Sequence, residues 1–340
     1  MKILILTSCF GNGHLSVAQA LEEEYASYGQ SVIVRDVLNI VYPKFHNIIY
    51  LFFNRFICRK SYLYNFLNQF GRKNRKKSQS SKRLLKELDK IQPDMIVTTW
   101  SGCGNFIGRL NIPVCICITD VGFHPGWLYP YATQYLVATN DVSKRLEEYG
   151  ISKDKILVRG IPVKKEFYDL VPQRKFMNKK KILIMGGGLG IIPWLDDFLF
   201  EIKDVSNLEI TIVTGRNQSL FKKIKNEYPS VHVEGFIHDI AFYLSKMDFL
   251  ISKPGGVSLF ESIYAGVPYI AMYPSFEHEI ENANFIERNN IGIVIRKGMN
   301  VYDAINNLIA DEGLYKSFQS NILKIRNNIE NAKNKVGRNI

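Results

Sequence analysis

Apolar residues along this chain gather into short unbroken runs instead of alternating with polar ones. Ile3–Leu6 leads into Gly11-Asn12-Gly13-His14 and then into Ser16–Ala26, where Val17, Leu21 and Tyr25 recur at helical spacing. A continuous run suits a strand buried on both faces of a parallel sheet, and the glycine turn with the helical period completes a strand-loop-helix unit. Further runs at Ser31–Val34, Met95–Thr99, Val114–Thr119 and Tyr135–Ala138 predict strands separated by helices and loops. The pattern becomes polar and basic around Lys164–Lys181, read as a linker over 163–180. It restarts at Lys181–Met185 and Gly186–Gly190, with strands predicted at Glu209–Thr214, Val231–Val233, Phe249–Ile251, Tyr269–Met272 and Ile293–Ile295. This alternation predicts an α/β fold of two Rossmann-like domains in tandem, residues 1–162 and 181–320, followed by a basic helix or tail over 321–340.

Composition agrees with two globular domains. The chain has 340 residues, 46% hydrophobic and 22% charged, which argues against a disordered or collagen-like chain. The five cysteines (Cys9, Cys58, Cys103, Cys115, Cys117) include no CxxC pair and no zinc-like spacing with histidine, so reduced thiols and no metal site are expected. The opening apolar run is too short for a secretory leader. His46, Asn47, Asn54 and Arg55 interrupt the stretch Phe45–Ile57, which is well below the roughly 20 residues needed to span a bilayer.

Charge changes the picture. The formal net charge is +12, and residues 41–90 hold thirteen Lys/Arg against only Glu87 and Asp89, so one segment makes the protein basic. The same segment is rich in aromatics. On a helix Phe45, Ile48, Ile49, Phe52 and Phe56 would form one stripe ending at Arg59 and Lys60, and Leu63, Phe66, Leu67 and Phe70 could form a second. An apolar wedge beside a basic cluster is the pattern of a helix lying in an anionic membrane interface, the favoured reading. Packing on the domain core and binding of single-stranded nucleic acid are the competing readings.

Three glycine-rich places are candidate ligand loops. Gly186–Gly190 lacks the full GxGxxG spacing and taken alone is a tight strand-to-helix turn as readily as a dinucleotide loop. Lys253-Pro254-Gly255-Gly256-Val257-Ser258 before a helix through Glu261 is the stronger signal. Backbone N–H groups and the positive end of the helix dipole would receive a diphosphate there, with Glu261 one turn on, placed to accept from ribose hydroxyls. His14, at the end of the first glycine loop, is a candidate general base, although a lone histidine is more often a packing or capping residue.

These residues occur together in a recognisable order. Phe10-Gly11-Asn12-Gly13-His14, Thr119-Asp120 with His124 and Trp127, Gly160-Ile161-Pro162, Gly186–Gly190, Gly235-Phe236-Ile237, Lys253–Ser258 with Glu261, Gly266-Val267-Pro268, and Glu279 with Glu281-Asn282-Ala283-Asn284 span about residues 2–320. The set resembles glycosyltransferase family 28, the family of bacterial diacylglycerol glucosyltransferases and plant monogalactosyldiacylglycerol synthases. The resemblance implies a GT-B fold, two Rossmann-like domains facing across a cleft, with a UDP-hexose donor on the C-terminal domain and the acceptor on the N-terminal one. By similarity Phe236 and Ile237 would hold uracil through backbone groups and Glu261 the ribose. Gly187, Gly188, Gly255 and Gly256 would hold the diphosphate, with Gly215, Arg216, Val257 and Ser258 also on the donor side. His278 and Glu279 would face the donor sugar, with Asn282 also on the donor side. His14 would deprotonate or orient the acceptor hydroxyl, with Asp120 in support, and Gly13, His124 and Trp127 on the acceptor side. Phe52, Phe53, Phe56, Arg59 and Lys60 would meet the membrane.

The family inverts at the anomeric carbon, so a UDP-α-sugar would give a β-glycoside. Neither a cofactor nor a metal is expected, because a helix N-terminus can receive the charge of the departing UDP. Where relatives carry Gly-Gln-Glu, this chain has Glu277-His278-Glu279, a change at the residues that would read the sugar. The expected partners are a UDP-hexose, diacylglycerol or another amphipathic acceptor, and an anionic membrane, with no nucleic acid. The expected place is cytoplasmic, peripheral on the inner face of the cell membrane. The alternatives are a soluble glycosyltransferase acting on an amphipathic natural product, a UDP-sugar epimerase, and a non-catalytic UDP-sugar sensor.

Overall fold

A computed structural model describes residues 1–10, 12–52, 81–172 and 176–336. Phe53, Phe56, Arg59, Lys60 and the second apolar stripe at Leu63–Phe70 lie outside the described residues. Contacts divide the chain into two compact units, Met1–Lys165 with Phe276–His278, and Glu166–Ser275 with Glu279–Ile340.

The first unit is a six-stranded parallel sheet of β1 (Lys2–Thr7), β2 (Ser31–Asp36), β3 (Met95–Thr98), β4 (Val114–Cys117), β5 (Gln134–Val137) and β6 (Ile156–Val158), in the order β2-β1-β3-β4-β5-β6. Its helices are α1 (Gly13–Ser27), α2 (Val37–Val41), α3 (His46–Phe52), α4 (Lys82–Ile91), α5 (Gly104–Ile107), α6 (Asn140–Glu148) and α7 (Lys165–Tyr168), the last of which runs on into the second unit. Ile3–Leu6 are completely buried, as expected of a central parallel strand covered on both faces. The edge strand β6 has no counterpart among the predicted strands. It is three half-buried residues, too short to stand out as an apolar run.

The second unit repeats the plan with β7 (Lys180–Met185), β8 (Leu208–Val213), β9 (His232–Glu234), β10 (Phe249–Ser252), β11 (Tyr269–Met272) and β12 (Gly292–Ile295), in the order β12-β11-β10-β7-β8-β9. Helices α8 (Leu195–Glu201), α9 (Gln218–Glu227), α10 (Ile240–Leu244), α11 (Gly256–Ala265), α12 (Glu277–Arg288, whose first two residues group with the first unit), α13 (Val301–Ala310) and α14 (Glu312–Val336) complete it. Residues 321–336 of the predicted basic tail belong to the 25-residue α14 of this unit, and Arg338 lies outside the described residues. Buried Arg326 donates to the carbonyls of Leu170, Tyr264 and Tyr168 at 2.8, 2.7 and 3.0 Å.

Each sheet has one place where the chain reverses its direction of strand addition, between β1 and β3 in the first unit and between β7 and β10 in the second. Loops leave such a pair of strands in opposite directions and open a crevice at their carboxyl ends, the usual ligand position in open α/β sheets. The glycine loops singled out in the sequence follow β1, β7 and β10. Both crevices therefore carry candidate chemistry.

The aromatic segment departs from a core stripe where it is described. Phe45, Ile48, Leu51 and Phe52 are 60, 61, 69 and 55% exposed, and the buried residue of α3 is Tyr50. No helix among the described residues is long and apolar enough to cross a membrane.

Candidate active site

In the first unit α1 begins at Gly13, so His14 sits inside its first turn. The helix start has no acidic residue and no side-chain cap. Register places Leu6 beside Thr98, which brings Thr7 and Thr99 together at the strand ends. Thr99 Oγ1 lies 2.8 Å from Thr7 Oγ1 and 3.0 Å from the His14 carbonyl. From beyond β4, Thr119 Oγ1 lies 3.2 Å from His14 Nδ1, so the helix turn and the imidazole are both held by threonine hydroxyls. With Nδ1 engaged, Nε2 is the ring nitrogen left for a substrate.

Burial pushes the His14 pKa below its ordinary value, and the negative charge of Asp120 opposes that shift. Asp120 is half-buried beside Thr119. A half-buried histidine kept neutral at pH 7 can accept a proton, whereas a charged imidazolium cannot.

The loop after β4 forms a wall beside this histidine. Buried Trp127 presents its ring 6.5 Å from the His14 ring at 65° and 5.9 Å from His124. His124 Nδ1 accepts from the Gly126 N–H at 3.1 Å and caps the turn Pro125–Trp127, a local structural role within the acceptor-side set. A small cleft is lined by Trp100, Ser101, Gly104, Trp127, Leu128 and Tyr129. Trp127 Nε1 is buried with no hydrogen-bond partner among the described residues. Gly13 is exposed at the helix start.

In the second unit the strand-end loops are backbone sites. Gly190 and Gly215 have φ of +61° and +54°, and a Cβ on either would collide with a carbonyl, Thr214 O at 1.8 Å or Gly188 O at 2.7 Å. These positions need glycine for close approach as well as for their left-handed backbone. Arg216 N donates to Gly188 O at 3.1 Å, which locks the two turns together. The Arg216 guanidinium stands 5.2 Å over the exposed Phe236 ring, with half-buried Ile237 next in the chain.

Helix α11 starts from extended Gly255, with no side-chain cap and no acidic residue in its first turn. The early N–H groups, including those of Gly256, Val257 and Ser258, are therefore not spent on a capping side chain, and this is the arrangement that receives an anion. Half-buried Glu261 lies farther along the same helix.

The turn before α11 is braced from behind. Tyr269 Oη donates to Lys253 O at 2.7 Å, and fully buried Asn282 donates to Pro254 O at 3.0 Å. Glu279 is buried and accepts from Ser275 N at 3.2 Å, while His278 stacks on Phe276 at 5.7 Å and 16°. Asn282 and Glu279 thus shape loops; the Gly255 N–H is spent on Lys253 O at 2.8 Å, and the backbone donors not spent on a capping side chain are those of Gly256–Ser258.

Sequence reasoning names Thr119 only as part of the Thr119-Asp120 motif, without a role of its own, and assigns no role to Thr99, Trp100 or Tyr50. The signal for the two threonines is their place immediately past apolar strand runs, which becomes meaningful only once β1, β3 and β4 are known to be neighbours.

Comparisons with known proteins converge with the geometry. Residues 14–163 match the monogalactosyldiacylglycerol (MGDG) synthase model, and residues 166–335 match the glycosyltransferase family 28 C-terminal domain. The chain is 30% identical over 350 aligned positions to a processive diacylglycerol beta-glucosyltransferase of Bacillus pumilus, covering 94% of this chain and 90% of the relative. In fold it resembles the spinosyn rhamnosyltransferase SpnG, with a TM-score of 0.62, 14% identity and coverage of 97% and 96%. Acinetobacter baumannii MurG aligns with a TM-score of 0.60, 16% identity and coverage of 98% and 99%. The two parallel sheets are those of a GT-B glycosyltransferase, and the chain belongs to glycosyltransferase family 28.

Proposed function

We propose that this glycosyltransferase moves a hexose from a UDP-α-hexose to the hydroxyl of diacylglycerol at a membrane surface, giving a β-glycoside by direct displacement. One observation carries the acceptor assignment: over nearly its whole length the chain matches an enzyme named a diacylglycerol beta-glucosyltransferase. The exposed Phe45, Ile48, Leu51 and Phe52 and the basic charge concentrated in residues 41–90 support an anionic lipid surface as the place of reaction. That surface would be the inner face of the cell membrane.

In this reading the first unit handles the proton. Neutral His14 accepts it at Nε2 from the acceptor hydroxyl, Thr119 fixes the ring through Nδ1, and Asp120 stabilises the imidazolium that results. The second unit handles the charge. Gly187, Gly188, Gly255 and Gly256 approach the diphosphate, and the N–H groups at the start of α11 stabilise the negative charge that develops on the leaving UDP. Phe236 and Ile237 receive the base, Glu261 accepts from the ribose hydroxyls, and His278 and Glu279 serve the sugar. With the leaving charge received by backbone dipoles, the scheme calls on no metal.

The test is incubation with UDP-glucose, UDP-galactose or UDP-N-acetylglucosamine, each with phosphatidylglycerol vesicles containing diacylglycerol, followed by mass spectrometry of the extracted lipid. Hexosyl-diacylglycerol from one donor supports the proposal. Turnover of UDP-sugar without added acceptor, or no lipid product from any donor, refutes it.

A further inference from the structure

Tyr50 is the buried residue of α3, 9% exposed in a seven-residue helix whose Ile48, Leu51 and Phe52 lie open. Its hydroxyl donates to Asp36 Oδ2 at 2.7 Å and accepts from the Cys9 N–H at 3.0 Å. Asp36 ends β2 and stands in register with Thr7, the last residue of β1, while its other carboxylate oxygen accepts from Leu38 N and Asn39 N at 2.8 and 3.3 Å to start α2. One phenol thus joins α3, the β2–α2 corner and Cys9, which follows β1.

A second path runs through rings. Phe10, next to Cys9, meets Tyr50 at 4.9 Å and 72° and Trp100 at 5.3 Å. Trp100 follows Thr99, whose hydroxyl reaches the His14 carbonyl. Ring packing alone would need only phenylalanine at position 50; the hydroxyl adds the two polar ties. Burial and the adjoining Asp36 hold the phenol pKa above its ordinary value, so it keeps its proton and remains a donor across the working pH range. What packs on the two sides of α3 sets its position. On one side these are Tyr50 and half-buried Ile49, which packs on the core of the first unit, and on the other the exposed Ile48 and Leu51.

We propose that Tyr50 is a positioning residue for the transfer: its hydroxyl ties the apolar helix α3 to the Cys9–Phe10 loop, so that seating α3 in a lipid surface fixes the turn that presents His14. This rests on the reading that the acceptor is taken from a bilayer. It adds to that reading a physical route by which lipid contact raises turnover.

The test compares two acceptors with UDP-glucose as donor: dioleoylglycerol in phosphatidylglycerol vesicles, and dihexanoylglycerol kept below its aggregation threshold. The wild type is expected to turn over faster on vesicles. In Tyr50→Phe, which keeps the ring and loses both polar ties, the ratio of vesicle to monomer turnover should fall about tenfold, with KM for UDP-glucose and the vesicle-bound fraction unchanged. Asp36→Asn retains an oxygen to start α2 but presents an amide N–H₂ to the phenol, so it should lower the ratio equally, and the double variant should be no worse than either single one. Asp36→Asn also carries the test if Tyr50→Phe does not fold. The proposal is overturned if the ratio is unchanged, whether both turnovers hold or fall together, if vesicle binding drops in step with turnover, or if the wild type shows no preference for vesicles. A wild type that makes no glycolipid defeats the functional reading and this inference with it, whereas a normal wild type with an unchanged ratio in the variants defeats this inference alone.

Discussion

Both units place the start of a helix at the reversal point of a parallel sheet, yet the two starts are built in opposite ways. At α1 the candidate groups are side chains: a histidine held by threonine hydroxyls and walled by tryptophan. At α11 they are main-chain N–H groups, left uncovered by two glycines and braced from behind by Tyr269 and Asn282. The difference follows the chemistry each half would face. Moving a proton requires one group of tuned basicity, whereas receiving a diphosphate requires many donors at close range, which side chains would obstruct. The same topological position can serve either purpose, depending on whether a histidine stands in the first turn of the helix.

The comparison breaks most sharply at His14. Replacing it with alanine should lower turnover by about 10²–10⁴-fold while leaving UDP affinity unchanged, read by initial rates beside calorimetry. The mirror experiment is Glu261→Ala, where loss of charge-assisted hydrogen bonds should weaken UDP binding by about 10–100-fold and raise KM for the donor. If each variant altered the other's readout instead, the division of labour between the units would be wrong.

Next in size is the apolar face of α3. Phe45, Ile48 and Phe52 changed together to serine should weaken binding to phosphatidylglycerol vesicles by about tenfold or more in a sedimentation assay, with UDP affinity intact. A loss of folded protein instead would show that this face packs on the chain itself.

The smallest effects sharpen the description of His14. Thr119→Val should lower turnover several-fold, on the order of one lost hydrogen bond. Because burial holds the His14 pKa below its ordinary 6.5, the neutral base persists through pH 7, and activity should be lost only as pH falls through that lowered value. Asp120→Asn removes a charge that raises this pKa, so the acid limb of the kcat profile should move to still lower pH. A limb that stayed in place or moved upward would separate Asp120 from the histidine.

The alternating pattern was largely legible because buried parallel strands need continuous apolar runs, and Ile3–Leu6, Phe249–Ile251 and Tyr269–Met272 all lie within observed strands. The three-residue β6 was not, since an edge strand buries too little to stand out. His14 and the Pro254-Gly255-Gly256 turn could be read from glycine spacing, which reports backbone geometry directly. Thr99 and Thr119 could not, because they acquire a role only when strands distant in sequence lie side by side. Tyr50 was hidden differently. Among many aromatics it looks interchangeable with Phe52, and only the fold shows that one turns inward to Asp36 while the other faces out. Of the helical stripe predicted from Phe45 to Phe56, Phe45, Ile48 and Phe52 are exposed, Ile49 packs half-buried on the core, and Phe56 lies outside the described residues.

The central claim is that a histidine at the first reversal point drives transfer of a hexose to a membrane lipid. It is tested most directly by measuring UDP-glucose-dependent glycolipid formation by wild type and His14→Ala in the same diacylglycerol-containing phosphatidylglycerol vesicles. The account predicts hexosyl-diacylglycerol from the wild type and at least about 100-fold less from the variant. Equal product from both, or none from the wild type, would contradict it.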